Sequence, residues 1–257
     1  MKLLIGIPTS GQPTRPFLDA LQSIVLPASV SEVDRVVWTG NFVAGQREMI
    51  ARDAVRRGFD LLAMIDDDIV VPRDGLERLV AALQADPDAA IAGALYYSRD
   101  GARPMTVSRW SSSDTTSAAI PPFNSHDIVP IDGLGFGFVV LRVAALASLT
   151  QPYFAAHLFV DDLSRTVRQC DEDYLLCERL RSAGYRVLLH GGVRAGHYDR
   201  GRDIVAPERW ETDDETDRVR MIVREGETTR LVPFDDRVPQ AKERQEPFPT
   251  TMLSGSA

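Results

Sequence analysis

The segment DLLAMIDDD, Asp60–Asp68, constrains the fold of this chain most tightly. Leu61 to Ile65 run without a polar interruption. A strand with one wet face alternates apolar and polar residues. A strand covered on both faces does not, and such runs belong to parallel sheets layered between helices. The run stops on Asp66, Asp67 and Asp68. Adjacent carboxylates repel, and none can enter a core unpaired. They therefore mark the strand's carboxyl end, where open α/β sheets bind ligands.

The flanking patterns agree. KLLIGIPTS predicts a strand, and RPFLDALQSIVL a helix with Phe17, Leu18, Leu21, Ile24 and Val25 at helical spacing. DRVVWTG predicts a second strand. GQREMIARDAVRRG predicts a second helix, with Met49, Ile50, Ala54 and Val55 inward and its arginines outward. After the aspartates, DGLERLVAAL reads as a helix opened by Asp74 and Glu77 in a capping-box pattern. Strand and helix in strict alternation predict a doubly wound, mainly parallel sheet. Beyond AAIAGALYY the order loosens. PMTVSRW suits a strand, and Ser111 to Ser125 a long polar loop of functional length. IVPIDGLGFGFVVLRVAAL reads as strand, glycine-rich turn, strand and short helix. CDEDYLLCERLRSAG reads as a helix with Leu175, Leu176 and Leu180 inward, closed by Gly184, and YRVLLH as the next strand. RMIVREGETTRLVPF suggests a hairpin around Gly226.

A formal charge of -8 argues against blanket attraction to nucleic acid or anionic membrane. Lys2 and Lys242 are the only lysines, so any anion held locally would meet arginine. Cys170 and Cys177, seven apart, are expected on one helix face two turns apart, too far to bridge. MKLLIGIPTSG is too short for a signal-peptide core, and no run approaches the ~18 apolar residues of a membrane span. The expectation is a cytoplasmic protein.

Four stretches carry chemistry. In an extended segment Asp66 and Asp68 point together as a hard-oxygen site for Mg²⁺ or Mn²⁺; the alternative is an acidic turn ending the strand. In DGLGFGFVVL, Gly133, Gly135 and Gly137 alternate after Asp132, which marks either a bulge or close approach by a ligand or backbone. Asp171, Glu172 and Asp173 crowd a helix start, where the dipole favours acids and where a carboxylate base could also sit. His197 follows a strand and a glycine in GHYD.

Taken in order, these stretches resemble the GT-A glycosyltransferases, particularly family-2-like bacterial and phage transferases. IGIPT, QREMIARDAVRRGFDLLAMIDDDIVVP, IDGLGFGFVVLRVAAL, EDYLLCERLRSAGYRV and GHYD carry the likeness over about Lys2 to Asp199. The resemblance implies a Rossmann-like, mainly parallel central sheet with helices on both faces and a small antiparallel addition. It implies one domain over 1–205, with a nucleotide-binding half of about 1–100 and an acceptor half of about 101–205; residues 206–257 form a charged extension with the hairpin. The implied activity is metal-dependent transfer of a sugar from a UDP- or GDP-sugar to an acceptor hydroxyl. Asp68 and His197 would bind Mn²⁺ or Mg²⁺, with Asp66 at the metal shell or ribose. Thr9 and Arg47 would hold the nucleotide, Asp132 and Gly133 would line the sugar and acceptor pocket, and Glu172 or Asp173 would be the base. Relatives often carry Arg-Asn where this chain has Arg47-Glu48.

The acceptor class stays open between a glycan, a small metabolite and a modified DNA base; for DNA, Arg99, Arg103 and Arg109 could meet the backbone. Two other readings compete. A nucleotide-sugar-binding module would keep the fold without turnover. A phosphohydrolase would use IDDDIVV as its nucleophile motif, but it expects a lysine near the phosphate, and none lies between Lys2 and Lys242.

Overall fold

The structure is a computed structural model. It describes residues 1–99, 101, 104–107, 109–111, 114–118, 127–161, 166–206, 209–212, 219–225 and 228–233. The chain runs β1 (Lys2–Thr9), α1 (Arg15–Ser23), β2 (Glu32–Thr39), α2 (Val43–Arg56), β3 (Leu61–Ile65), β4 (Ile69–Val70), α3 (Gly75–Ala85) and β5 (Ala89–Leu95). Short strands follow: β6 (Thr106–Val107), β7 (Arg109–Ser111), β8 (Asp114–Ala118), β9 (Ile128–Ile131) and β10 (Gly133–Leu134). Next come β11 (Phe138–Arg142), α4 (Val143–Ala147), β12 (His157–Asp161), β13 (Thr166–Cys170), α5 (Glu172–Ser182) and β14 (Arg186–Arg194). The remainder is β15 (Gly196–Asp199), β16 (Ile204–Ala206), β17 (Arg209–Thr212), β18 (Val219–Glu225) and β19 (Thr228–Pro233).

The central sheet has the order β2-β1-β3-β11-β5-β14-β9. Strands β2, β1, β3, β5 and β14 run one way, and β11 and β9 oppose them. Both faces are covered. Leu4, Leu62, Met64, Val139 and Leu189 face α2, α4 and α5 through Ile50, Ala54, Leu146, Leu176 and Leu180. Their neighbours Leu3, Ile5, Leu61, Ala63 and Val140 face α1 and α3 through Phe17, Leu76, Leu79 and Leu83. The unbroken apolar run of β3 is thus a strand feeding two cores at once. Strand β1 lies between β2 and β3 because α1 and α2 pack on opposite faces, which turns the winding round at β1. The crevice of such a switch opens at the carboxyl ends of β1 and β3.

Several local expectations change. Helix α1 stops at Ser23, so Ile24 and Val25 lie beyond it, and Leu18 is exposed. In α2, Ile50 and Ala54 are buried, but Met49 faces solvent and Arg47 is buried rather than outward. Asp74 opens α3 without any side-chain cap bond and pairs with Arg78 at 3.7 Å instead. Cys170 ends β13 and Cys177 lies inside α5, so the two share no helix face. Ala183 closes α5, with Gly184 one residue on at φ +91°, a conformation glycine adopts freely. Part of the expected Ser111–Ser125 loop is strand: β8 pairs antiparallel with β7. The rest of that loop, residues 112–113 and 119–125, lies outside the described residues. Strands β18 and β19 pair antiparallel and β17 adds to β18; Gly226 is outside the described residues.

Candidate active site

The aspartates follow β3 in a turn rather than an extended segment, since the Ile69 amide donates to the Asp66 carbonyl at 3.1 Å. The turn sends the three side chains to three partners. Asp67 looks toward β1: its carboxylate accepts from the Thr9 hydroxyl, and its carbonyl accepts from the Thr14 amide at 3.0 Å. Thr9 also accepts from the Gly11 amide at 2.9 Å, so one threonine ties the end of β1 to the aspartate turn. Gln46 of α2 completes this edge by donating to the carbonyls of Thr9 and Gly40 at 2.7 and 2.8 Å.

Asp66 turns to Arg47. Nη2 of Arg47 donates to both Asp66 oxygens at 2.9 and 2.8 Å, and Nη1 donates to Glu172 Oε1 at 2.5 Å. Asp173 Oδ2 lies 3.9 Å from the same Nη1. One buried guanidinium therefore joins α2, the end of β3 and the first turn of α5. It lies over the Phe136 ring, 5.8 Å from the centroid. Burial works against its charge, but Asp66, Asp173 and Glu172 outweigh that and hold it protonated. Three carboxylates exceed what one arginine can neutralise. Desolvation lifts Asp66 above the ordinary carboxylate range despite Arg47. Asp173 is pushed up to about 7, first by burial and further by Glu172, against the lowering pull of Arg47.

Asp68 is 4% exposed. Its Oδ2 accepts from Arg99 Nε at 3.0 Å and Nη2 at 2.5 Å, and lies 3.4 Å from His197 Nε2. Burial would raise this carboxyl, but His197 and Arg99 outweigh burial and hold it below its usual range. His197 reaches Asp68 through backbone pairing. Strand β15 lies antiparallel to β4 with His197 opposite Ile69, and the Tyr198 amide donates to the Asp68 carbonyl at 2.8 Å. The ring Nδ1 donates to the Tyr97 carbonyl at 2.9 Å, which leaves Nε2 facing the carboxylate. Tyr96 packs edge-on against the ring at 5.8 Å.

This pair suits a divalent cation. Metal-binding histidines usually anchor the second ring nitrogen on a carbonyl or carboxylate, as here on Tyr97. Neighbouring ligands of an octahedral ion stand about 3 Å apart at metal–oxygen distances near 2.1 Å, close to the observed separation of Oδ2 and Nε2. The ring nitrogen and the carboxylate face each other at a separation that a proton or a cation between them would bridge. Among the described residues no cluster of three or more His, Cys, Asp or Glu could hold a metal by itself. The remaining ligands would come from water and a substrate oxygen, the usual habit of Mg²⁺.

The other expected residues have defined places. Asp132 is held by Arg181 of α5, by its carboxylate at 3.2 Å and its carbonyl at 3.0 Å. Gly133 is buried in the β10–β6 pairing. The neighbouring glycines admit Tyr96: a Cβ on Gly135 or Gly137 would come within 2.3 or 2.7 Å of its ring or hydroxyl. Their alternation thus serves a buried tyrosine whose hydroxyl accepts from the Gly137 amide at 3.0 Å. Glu48 accepts from the amides of Tyr153 and Phe154 at 2.7 and 2.9 Å, and so holds the 151–154 loop against Phe136.

Sequence reasoning missed Tyr96, Tyr97 and the role of Arg99. The signal available was an aromatic pair and an arginine in LYYSR, directly after a strand ending beside the aspartates. Arg99 engages Asp68; Arg103 and the side chain of Arg109 lie outside the described residues.

No family model matches the chain, and no curated protein sequence matches it. Solved structures do. A197 from STIV aligns at TM-score 0.55 and 18% identity, over 95% of this chain and 100% of that one. GalNAc-T7, solved with UDP, GalNAc and Mn²⁺, aligns at TM-score 0.55 and 12% identity, over 77% of this chain and 44% of that one. No described helix is long and apolar enough to cross a membrane. A mainly parallel sheet wound through β1, helices on both faces and these structural neighbours together give the chain a GT-A-like fold.

Proposed function

We propose that the chain is a metal-dependent glycosyltransferase, moving a sugar from a UDP- or GDP-linked donor to an acceptor hydroxyl. The observation that carries this reading is Asp68 facing His197 across 3.4 Å, beside the Arg47-bound carboxylates Asp66 at the end of β3 and Glu172 at the start of α5. UDP and Mn²⁺ in the structural neighbour GalNAc-T7 suit the same reading. Asp68 and His197 would hold Mn²⁺ or Mg²⁺, with Asp66 at the edge of its shell or at the ribose. When bound, the ion would neutralise charge on the departing diphosphate. Thr9 and Arg47 would border the nucleotide, and Asp132 and Gly133 the sugar and acceptor side. Residues 1–205 would form the transferase domain, in the cytoplasm, with 206–257 as an extension.

Of the two candidate bases, Asp173 is the better placed. Glu172 is tied to Arg47 at 2.5 Å, whereas Asp173 stands at 3.9 Å and is poised near neutral pH. In an inverting transfer Asp173 takes the acceptor hydroxyl proton and the acceptor oxygen bonds to C1. The C1–phosphate bond breaks, and its electron pair leaves on the diphosphate. The acceptor would be a glycan, a small metabolite or a modified DNA base.

A thermal-shift panel of nucleotide sugars, run with Mn²⁺ and with chelator and followed by a product assay, tests the reading. One donor should raise Tm only with the metal, and Asp68→Asn should abolish that shift. Donor binding without product across acceptor classes would favour a silent binding module. Metal-independent donor binding, or no donor binding at all, would sink the proposal.

A further inference from the structure

Arg99 is the unexplained partner of the site. It sits in a tight turn, where the Gly101 amide donates to the Ser98 carbonyl at 2.7 Å. Gly101 takes φ +70°, which turns the chain sharply back. The turn is closed by the bridge between Tyr97 and Pro104. Its backbone is anchored, because Arg202 donates to the Arg99 carbonyl while also pairing with Asp199 at 2.7 Å. Its side chain is not packed: it is 63% exposed, against 6% for the Asp68 side chain it reaches. Both donating nitrogens converge on Oδ2, the oxygen that also faces His197 Nε2. A guanidinium spanning both carboxylate oxygens would make the stronger fork. This one crowds a single oxygen, on the side where a cation shared with His197 would sit.

Resting on the reading of Asp68 and His197 as metal holders, we infer that Arg99 is a displaceable internal counter-cation of the metal subsite. Without a divalent ion it neutralises Asp68, whose charge would otherwise be buried beside Asp66 with only His197 to meet it. A metal ion entering between Asp68 and His197 competes for Oδ2 and releases the guanidinium. Solvent already reaches Arg99, so release exposes little new surface and forfeits only a screened pair. The anchored turn keeps the freed guanidinium within a side chain's length of the metal. There it meets the diphosphate, a planar fork matched to phosphate oxygens in a chain almost without lysine. Arg99 thus opposes the bare metal and assists the loaded one.

The test measures Mn²⁺ binding to the full chain without nucleotide, by electron paramagnetic resonance, and UDP binding at saturating Mn²⁺, by calorimetry. Arg99→Gln should bind Mn²⁺ about tenfold more tightly than wild type and UDP about tenfold more weakly, each near 1.4 kcal/mol. Arg99→Lys should fall between; without metal Arg99→Gln should still melt cooperatively but below wild type, since Asp68 then has only His197 to meet it, and saturating Mn²⁺ should close that gap. Equal or weaker Mn²⁺ binding by Arg99→Gln, or no Mn²⁺ binding by either protein, overturns the inference. If wild type shows metal-dependent donor binding and transfer while Arg99→Gln gains no Mn²⁺ affinity, the counter-cation role fails and the transferase reading stands. If the Mn²⁺ and UDP effects appear but no sugar is ever transferred, the counter-cation role stands and the transferase reading fails.

Discussion

Asp173, proposed as the base, is a position where one group would set both rate and stability. Its carboxyl is pushed up to about 7 by burial and by Glu172. Activity that needs the carboxylate should rise with pH through about 7, and Asp173→Asn should lower turnover by roughly 10²–10⁴-fold and flatten that rise. Stability should move the other way. Between the ordinary aspartate range and about 7 the folded state holds a proton that the unfolded state has released, so wild type loses stability as pH rises. Asp173→Asn should lack that loss and be the more stable protein above pH 7 in urea melts. A pH-rate profile in the variant parallel to wild type would exclude Asp173 as the base. The acidic helix start was legible in CDEDY, but the division of labour was not. Glu172 and Asp173 look alike in sequence, and only their distances from Arg47 separate them.

Between elements, close approach decides what the sequence must contain. Helix α2 crosses β1 so closely that a Cβ on Gly6 would stand 2.3 Å from Ile50 Cγ2. Gly6→Ala should therefore destabilise the protein by about 1–3 kcal/mol through overpacking, and Ile50→Ala should relieve part of that cost in the double variant. A wild-type urea midpoint for Gly6→Ala would show that the helix shifts freely. The same logic explains Gly135 and Gly137 of DGLGFGF. Their spacing signalled a close approach, and the approaching group is the Tyr96 side chain. Elements were legible where periodicity was strong, as in β3 and α5. Ends and caps were less so. Asp74 has capping chemistry but pairs with Arg78 instead, and Cys170 belongs to a strand because α5 begins two residues later.

For the molecule as a whole, Arg47 is the tie between distant parts of the chain. It holds the end of β3 and, 125 residues away, the start of α5. Arg47→Leu would leave the buried Glu172 and the half-buried Asp66 without their partner, and should cost about 3–5 kcal/mol in urea denaturation. A variant as stable as wild type would mean that the carboxylates relax into water. Sequence alone determined the layered α/β architecture, because a continuous apolar strand and helical periodicity leave few ways to bury two faces. It also determined that carboxylates gather at a strand's end, because charge cannot continue into a core. Pairing was decided only by the tertiary structure. The β4–β15 register sets His197 against Asp68, a buried helix face turns Arg47 inward, and a turn after β5 delivers Arg99. Those choices depend on contacts about 20 to 130 residues apart in the chain, where local periodicity carries no information about which charges meet.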